Sequence, residues 1–244
     1  MNTIALWDKE VRRIWSKDYP KILSNILKEN SVKSILDTSG GTGYPSIELA
    51  QMGWDISYSD CNIDMYNFFK EKAKKAKVNI PTYLVKWQEL DSKVEKKYDA
   101  LLCRGNSFIA IDGYDIETYD SSRVIENMKK ALNQFYNRLN RGGVLYIDLL
   151  HEDKIRTNKE IEYETICEEY SYSFKIEYDE KTNIRTNIET IVLSKDNSIK
   201  KTIVYTYPLL EKELREMLLE VGFSSVEKIQ ENYSSISNSF LARK

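Results

Sequence analysis

The stretch Ser34-Ile35-Leu36-Asp37-Thr38-Ser39-Gly40-Gly41-Thr42-Gly43 runs from a short apolar segment into three glycines within four positions. An apolar run that ends on an acid and turns on glycine reads as a buried strand feeding a helix, here IELAQMG. Glycines at such a turn let a ligand touch the backbone, and the N-terminus of the following helix favours electronegative groups. The next apolar run, WDISYSD, ends on Asp60, where a carboxylate can accept both hydroxyls of a ribose. Together the two features predict a nucleoside-bearing ligand between the first two strands.

Outward from this turn the chain alternates strands and helices. Asn62 to about Ala76 reads as a helix with apolar positions Met65, Phe68, Phe69, Ala73 and Ala76. PTYLVKW and KYDALLC read as strands, and a long helix is predicted from about Arg123 to Leu139, ended by RGG at 141–143. VLYIDLL follows as a fully buried strand. Such alternation implies a parallel sheet covered on both faces. After residue 160 the period changes to two: Tyr170, Tyr172, Phe174, Ile176 and Tyr178 alternate with polar residues, as do Ile184, Thr186, Ile188, Thr190 and Val192, then Ile203, Tyr205 and Tyr207. Turns at DEKTN and SKDNS separate the runs, predicting a three-stranded antiparallel meander over 160–207 with one wet face. A helix from about Leu210 to Val221, stopped by Gly222, and the strands FSSVEKI and NSFLARK finish the chain.

A chain of 244 residues suits a single domain, with residues 1–30 expected to form a helical cover. The 36 basic and 38 acidic side chains leave a net charge of −2, which gives no general attraction to a nucleic-acid backbone. Cys61, Cys103 and Cys167 lack CxxC spacing and His151 is the lone histidine, so no metal site is expected. A reduced, cytoplasmic setting fits, and no run is apolar enough to span a membrane.

Among nucleoside ligands, a triphosphate would want GxxxxGK(S/T), and no lysine follows these glycines. Nicotinamide dinucleotide wants GxGxxG or GxGxxA; Gly41, Gly43 and Ser46 match only partly. S-adenosylmethionine asks for a carboxylate near the turn, here Asp37, and an apolar clamp for adenine. At these residues LDTSGGTG resembles the first motif, LDxxxGxG, of class I S-adenosylmethionine-dependent methyltransferases, and SDCNIDM resembles their DxSxxM motif. VKWQEL, YDALLCRGNSF and TYPLLEKELREMLLEVGF are similar to segments of the glycine N-methyltransferase group, so the resemblance covers nearly the whole chain. It implies an α/β fold: a Rossmann-like, seven-stranded, mostly parallel sheet with helices on both faces and the meander inserted after the fifth strand as a substrate-side lid. It also implies that Asp37, Gly40, Gly41 and Gly43 line the methionine end of the cofactor, that Asp60 holds the ribose, and that Met65 and Trp87, the latter exposed at a strand end, enclose the adenine. Cys103 borders the same site. Lys86 stands where the relatives have asparagine.

The acceptor side departs from the group. Its substrate-carboxylate arginine after the fifth strand is replaced by DLLHED, which weighs against an amino acid acceptor. Arg104 and Asn106, in the loop after the fourth strand, are candidates to hold a phosphate or similar anion; Arg104 pointing into solvent or pairing with Asp112 is the alternative. His151, at the end of the fifth strand, is the candidate base for a hydroxyl acceptor. The expectation is methyl transfer from S-adenosylmethionine, yielding S-adenosylhomocysteine, to a small polar acceptor, foremost O-methylation of a phosphate or phosphoramidate in capsule or surface-polysaccharide biosynthesis. N-methylation of an amine or amino acid, a non-catalytic S-adenosylmethionine-binding protein and a dehydrogenase stay open as alternatives. The loop RGNS lacks the (D/N)PP(Y/F) pattern of enzymes that methylate a flipped base, and no nucleic-acid or membrane partner is expected.

Overall fold

Two helices, α1 (Thr3–Ile14) and α2 (Tyr19–Glu29), precede the first strand in the computed structural model of the chain, which describes residues 3–114, 117, 119–229 and 237–244, without the side chains of 159–162. Residues 1 and 2 of the expected helical cover lie outside the described residues. β1 (Ser34–Asp37) leads through the glycine turn into α3 (Ser46–Gln51), then β2 (Asp55–Asp60), α4 (Ile63–Lys75) and β3 (Thr82–Leu84). A 3₁₀ turn at Trp87–Glu89, α5 (Leu90–Lys93), β4 (Tyr98–Cys103), a second 3₁₀ turn at Ser107–Ala110, α6 (Ser121–Arg138), β5 (Leu139–Leu150) and α7 (Glu152–Ile155) come next. β6 (Lys159–Ile166), β7 (Tyr170–Asp179), β8 (Ile184–Leu193) and β9 (Ile199–Thr206) follow, and α8 (Glu211–Val221), β10 (Ser225–Ile229) and β11 (Ser237–Arg243) close the chain.

The large sheet has seven strands in the order β10-β11-β5-β4-β1-β2-β3, parallel from β5 to β3, with β11 antiparallel to β5 and β10. Helices cover both faces, as the alternation of strand and helix requires. On one face α6 buries Val124, Met128, Ala131, Leu132 and Phe135 completely, alongside Leu214 and Leu218 of α8. Their spacing is one helical stripe, and each large side chain so buried contributes roughly 1.5–3 kcal/mol. On the other face Leu23, Ile26 and Leu27 of α2 pack with Ile47 and Leu49 of α3 and with Phe69 of α4.

Three sequence expectations change. α6 ends at Arg138 and passes directly into β5, so RGG lies inside a bulged strand: the register jumps from Tyr98 paired with Leu139 to Ala100 paired with Val144. The second sheet has four strands, β6-β7-β8-β9, because KEIEYETI adds a strand ahead of the expected meander. The third change concerns facing. Tyr172 pairs with Ile191, Phe174 with Glu189, Ile176 with Asn187 and Tyr178 with Arg185, and cross-strand partners share a face. The row of β8 on the buried face is therefore Arg185, Asn187, Glu189 and Ile191, while Ile184, Ile188 and Val192 turn outward.

Candidate cofactor crevice and acceptor cleft

β1 lies between β2 on one side and β4 on the other, so the glycine turn sits where the strand order reverses, the place where open α/β sheets bind ligands. Its three glycines differ in what holds them. A Cβ on Gly40 would lie 2.1 Å from the Tyr58 ring, and one on Gly43 would lie 2.5 Å from the Phe69 ring, so both are imposed by packing. Gly41 has φ +51°, and its Cβ would meet nothing nearer than the Ser39 carbonyl at 4.0 Å. Of the three, only Gly41 presents bare backbone to open space.

Asp60 reaches that same backbone. Its Oδ2 accepts from the Gly41 N–H at 2.8 Å and its Oδ1 from the Asn62 N–H at 2.8 Å, and the Tyr58 hydroxyl donates to the Gly41 carbonyl at 2.7 Å. A carboxylate has about four acceptor sites, so Asp60 keeps capacity for two hydroxyls. Burial pushes its carboxyl above the usual range, opposed by the N–H groups of Asn62 and Gly41. Asn62 also caps α4, accepting from the N–H groups of Asp64 and Met65. Met65 is half-buried and belongs to neither core cluster. Trp87 departs from expectation: instead of standing exposed it is half-buried in a 3₁₀ turn, its indole N–H donating to the Thr38 carbonyl and its ring packing on Phe108 and Phe135. Cys103 is fully buried in the core, and burial drives its thiol well above its ordinary pKa. Any contact it makes with a ligand is through its backbone.

Asp37 and Arg104 are bound to each other. The Arg104 guanidinium is 2.7 Å from Asp37 Oδ2, with the two side chains 6% and 0% exposed. Asp37 also accepts from the Ser46 hydroxyl and the Ser39 N–H. The expectation that the Arg104 fork faces an acceptor anion does not match this geometry, nor does pairing with Asp112, which accepts from Asn127. The sequence reading also passed over Asp148 of β5, whose signal was an acid inside an otherwise apolar run. It is 1% exposed and accepts from the N–H groups of Gly105 and Asn106 at 2.7 and 2.6 Å, fixing the loop after β4. Burial raises its carboxyl to about 6, against those hydrogen bonds and Arg104. Two polar atoms remain buried there without a partner, Arg104 Nε and Asn106 Oδ1. One donor and one acceptor left over beside bare backbone suit the carboxylate and ammonium of an amino acid tail. His151 is half-buried at the start of α7, its carbonyl accepting from the Lys154 N–H.

The four-stranded sheet is tied to this crevice from two sides. The loop after β4 is stitched to the end of β9 by backbone hydrogen bonds, Tyr205 N–H to the Gly113 carbonyl and Tyr207 N–H to the Ile109 carbonyl. α1 lies between the sheet and the glycine turn. Its Glu10, completely buried, accepts from Arg13, Tyr163, Thr165 and Tyr170, and Leu6 packs on Tyr170, Tyr172 and Ile191. On its other side Arg12 pairs with Glu48 of α3, and Asp8 pairs with Lys72 of α4, which also donates to the Thr42 carbonyl. Among the described residues, no group of three or more His, Cys, Asp and Glu side chains could hold a metal, and no helix is long and apolar enough to cross a membrane.

No family model matches the sequence. It is 28% identical over 155 residues to a glycine/sarcosine N-methyltransferase of Aphanothece halophytica, covering 62% of this chain and 54% of the relative. It is 26% identical over 235 residues to a glycine/sarcosine/dimethylglycine N-methyltransferase of Actinopolyspora halophila, covering 93% of this chain and 38% of that one. The chain thus spans about half, or less, of the length of these curated relatives. Among solved structures, an S-adenosylmethionine-dependent methyltransferase from Clostridium acetobutylicum superposes with a TM-score of 0.77 at 15% identity, covering 98% of this chain and 96% of that one. The sugar N-methyltransferase KedS8 from Streptoalloteichus superposes with a TM-score of 0.73 at 13% identity, covering 100% of this chain and 93% of its own. The chain has the class I S-adenosylmethionine-dependent methyltransferase fold.

Proposed function

We propose that the chain is an enzyme that transfers the methyl group of S-adenosylmethionine to nitrogen on a small polar metabolite. The observation that carries the reading is Gly41, whose bare backbone opens beside a carboxylate, Asp60, with acceptor capacity to spare. Asp60 would hold the ribose, Met65 one side of the adenine, and Arg104 Nε with Asn106 Oδ1 the amino acid tail. When bound, the cofactor supplies an electrophilic methyl on a sulfonium; transfer forms the N–C bond and breaks the S–C bond, the electron pair staying on sulfur. Beyond that, the chain's part is to align the nucleophile and exclude water. The α1 helix and the four-stranded sheet, over 160–207, would do so as a lid on the one methyltransferase domain.

Nitrogen is favoured over a phosphate or phosphoramidate oxygen for two reasons. The arginine that would have gripped an anion is tied to Asp37, and the polar row of β8 contributes a carboxylate, Glu189, which repels anions. The glycine/sarcosine and sugar N-methyltransferases among the similar proteins support the same choice. Calorimetry with S-adenosylmethionine, S-adenosylhomocysteine and NAD tests the cofactor: the first two should bind and NAD should not. Transfer of labelled methyl to an amine panel then separates an enzyme from a protein that only binds the cofactor.

A further inference from the structure

We propose that Glu189 receives the acceptor's nitrogen, binding it as an ammonium and then taking its proton, so that the substrate class is a small aliphatic amine that is cationic at neutral pH. The assignment rests on the methyltransferase reading above and deepens it. Glu189 sits in the middle of β8 between Phe174 of β7 and Thr202 of β9. It shares the face that packs on α1, since Ile191, next in its row, is 8% exposed and clusters with Leu6 of α1. An alternating strand normally aims its apolar residues at such a face. Here three of the four inward residues, Arg185, Asn187 and Glu189, are polar, while Ile184 and Ile188 are aimed the other way, a local conflict of the kind found at functional sites.

The groups around Glu189 leave its charge unanswered. Arg185 is bonded to Asn187 and Thr206, and Lys200, on the same face of β9, donates to Thr3. Among the described residues no hydrogen bond or ion pair reaches the Glu189 carboxyl. Tyr172 of β7 and Tyr114 of the loop after β4 are within electrostatic reach of it. Tyr114, 71% exposed, is within electrostatic reach of Asp60 and Cys61 as well. Tyr114 thus lies within reach both of this carboxyl and of the residue proposed to hold the cofactor ribose. Burial alone raises Glu189 to about 7, as suits a carboxyl that both pairs with a cation and accepts a proton near neutrality. A phosphate would be repelled by the carboxylate.

In the step itself the proton passes from R–NH₃⁺ to the Glu189 carboxylate. This leaves R–NH₂ with its lone pair free and Glu189 as the neutral acid. That pair is then available for the N–C bond, which would form as the S–C bond of the sulfonium breaks with its electrons left on sulfur, giving R–NH₂⁺–CH₃; Glu189 returns its proton to water when the product leaves.

The test uses the full chain loaded with S-adenosylhomocysteine and titrated with glucosamine, glycine and sarcosine, with glucose as the neutral control. Wild type should bind at least one amine and not glucose. E189Q should lose about tenfold or more of that affinity while keeping its S-adenosylhomocysteine affinity, and E189D should regain part of the loss. With the amine that binds, kcat/KM should fall as the pH drops below about 7, and this acid limb should vanish in E189Q. The assignment is overturned if wild type binds S-adenosylhomocysteine but none of the amines, or if E189Q binds them as wild type does. Failure to bind S-adenosylhomocysteine would overturn the methyltransferase reading instead.

Discussion

Replacing Arg104 with methionine removes the charge from a buried pair while keeping most of the side chain's volume. The partner, Asp37, is 0% exposed and would be left with only the Ser46 hydroxyl and the Ser39 N–H. Stranding one member of a buried ion pair costs about 3–5 kcal/mol. In a domain of this size each kcal/mol lowers Tm by about 2–4 °C, so the expected fall is roughly 6–20 °C. Asp37→Asn should cost a comparable amount by stranding the guanidinium. The double variant should cost less than the two combined, by about 2 kcal/mol or more, because neither charge is then left alone. Urea and thermal melts of the four proteins, with S-adenosylhomocysteine affinity measured on each, complete the cycle. Because Asp37 anchors both β1 and the start of α3, cofactor affinity should fall together with stability. A variant Arg104→Met that melts within about 1 kcal/mol of wild type, and raises only the acceptor KM, would refute the reasoning and return this arginine to the acceptor side.

Three further variants probe other parts of the site. Gly40→Ala drives a methyl into the Tyr58 ring, 2.1 Å away, and should destabilise by about 1–3 kcal/mol in melts; Gly41→Ala meets no side chain but strains a backbone at φ +51°, so it should cost about 1–2 kcal/mol while weakening S-adenosylhomocysteine binding in calorimetry. Asp148 is raised from 3.8 to about 6, so its contribution to stability is full below 3.8 and is lost as the pH rises through 6. That amounts to about 3 kcal/mol, and denaturation from pH 3.5 to 7 should show a fall that Asp148→Asn lacks. Glu10→Ala leaves Tyr163 and Tyr170 without their acceptor; the expected cost is about 3 kcal/mol, with faster hydrogen exchange across α1 as the local readout.

On the cofactor side, chemistry and local sequence coincide, which is why that side was legible. A strand that ends in acid and glycine, followed by a second strand ending in acid, places the glycine turn beside Asp60. Even so, the sequence could not say which glycines are imposed by packing and which leaves its backbone open. Gly40 and Gly43 are dictated by Tyr58 and Phe69, aromatic residues on later elements whose approach no spacing rule reveals. Trp87 was misplaced for a related reason. Its position after a strand suggested exposure, but the strand stops at Leu84 and a 3₁₀ turn carries the indole back to the Thr38 carbonyl.

The acceptor side depends on facing, which a single strand's pattern does not contain. Period two in Ile184, Ile188 and Val192 marks a strand with an apolar row, and the natural inference is that this row meets the core. Facing is set by register, and β7 supplies it: Tyr172 opposite Ile191 and Phe174 opposite Glu189 put the other row inward. Two adjacent strands with their apolar rows on opposite faces would be a poor arrangement for a sheet that only had to bury hydrophobic surface. The arrangement makes sense if the inner face is not wholly core. β7 supplies Tyr170 and Tyr172 to seat α1, and β8 supplies Arg185, Asn187 and Glu189 to a space that must stay polar. The burial of Glu10 supports the same division, because its four donors hold α1 against one end of the sheet. The outward isoleucines are the cost of keeping a carboxylate on the inside, a cost that selection would remove if the carboxylate had no ligand to meet.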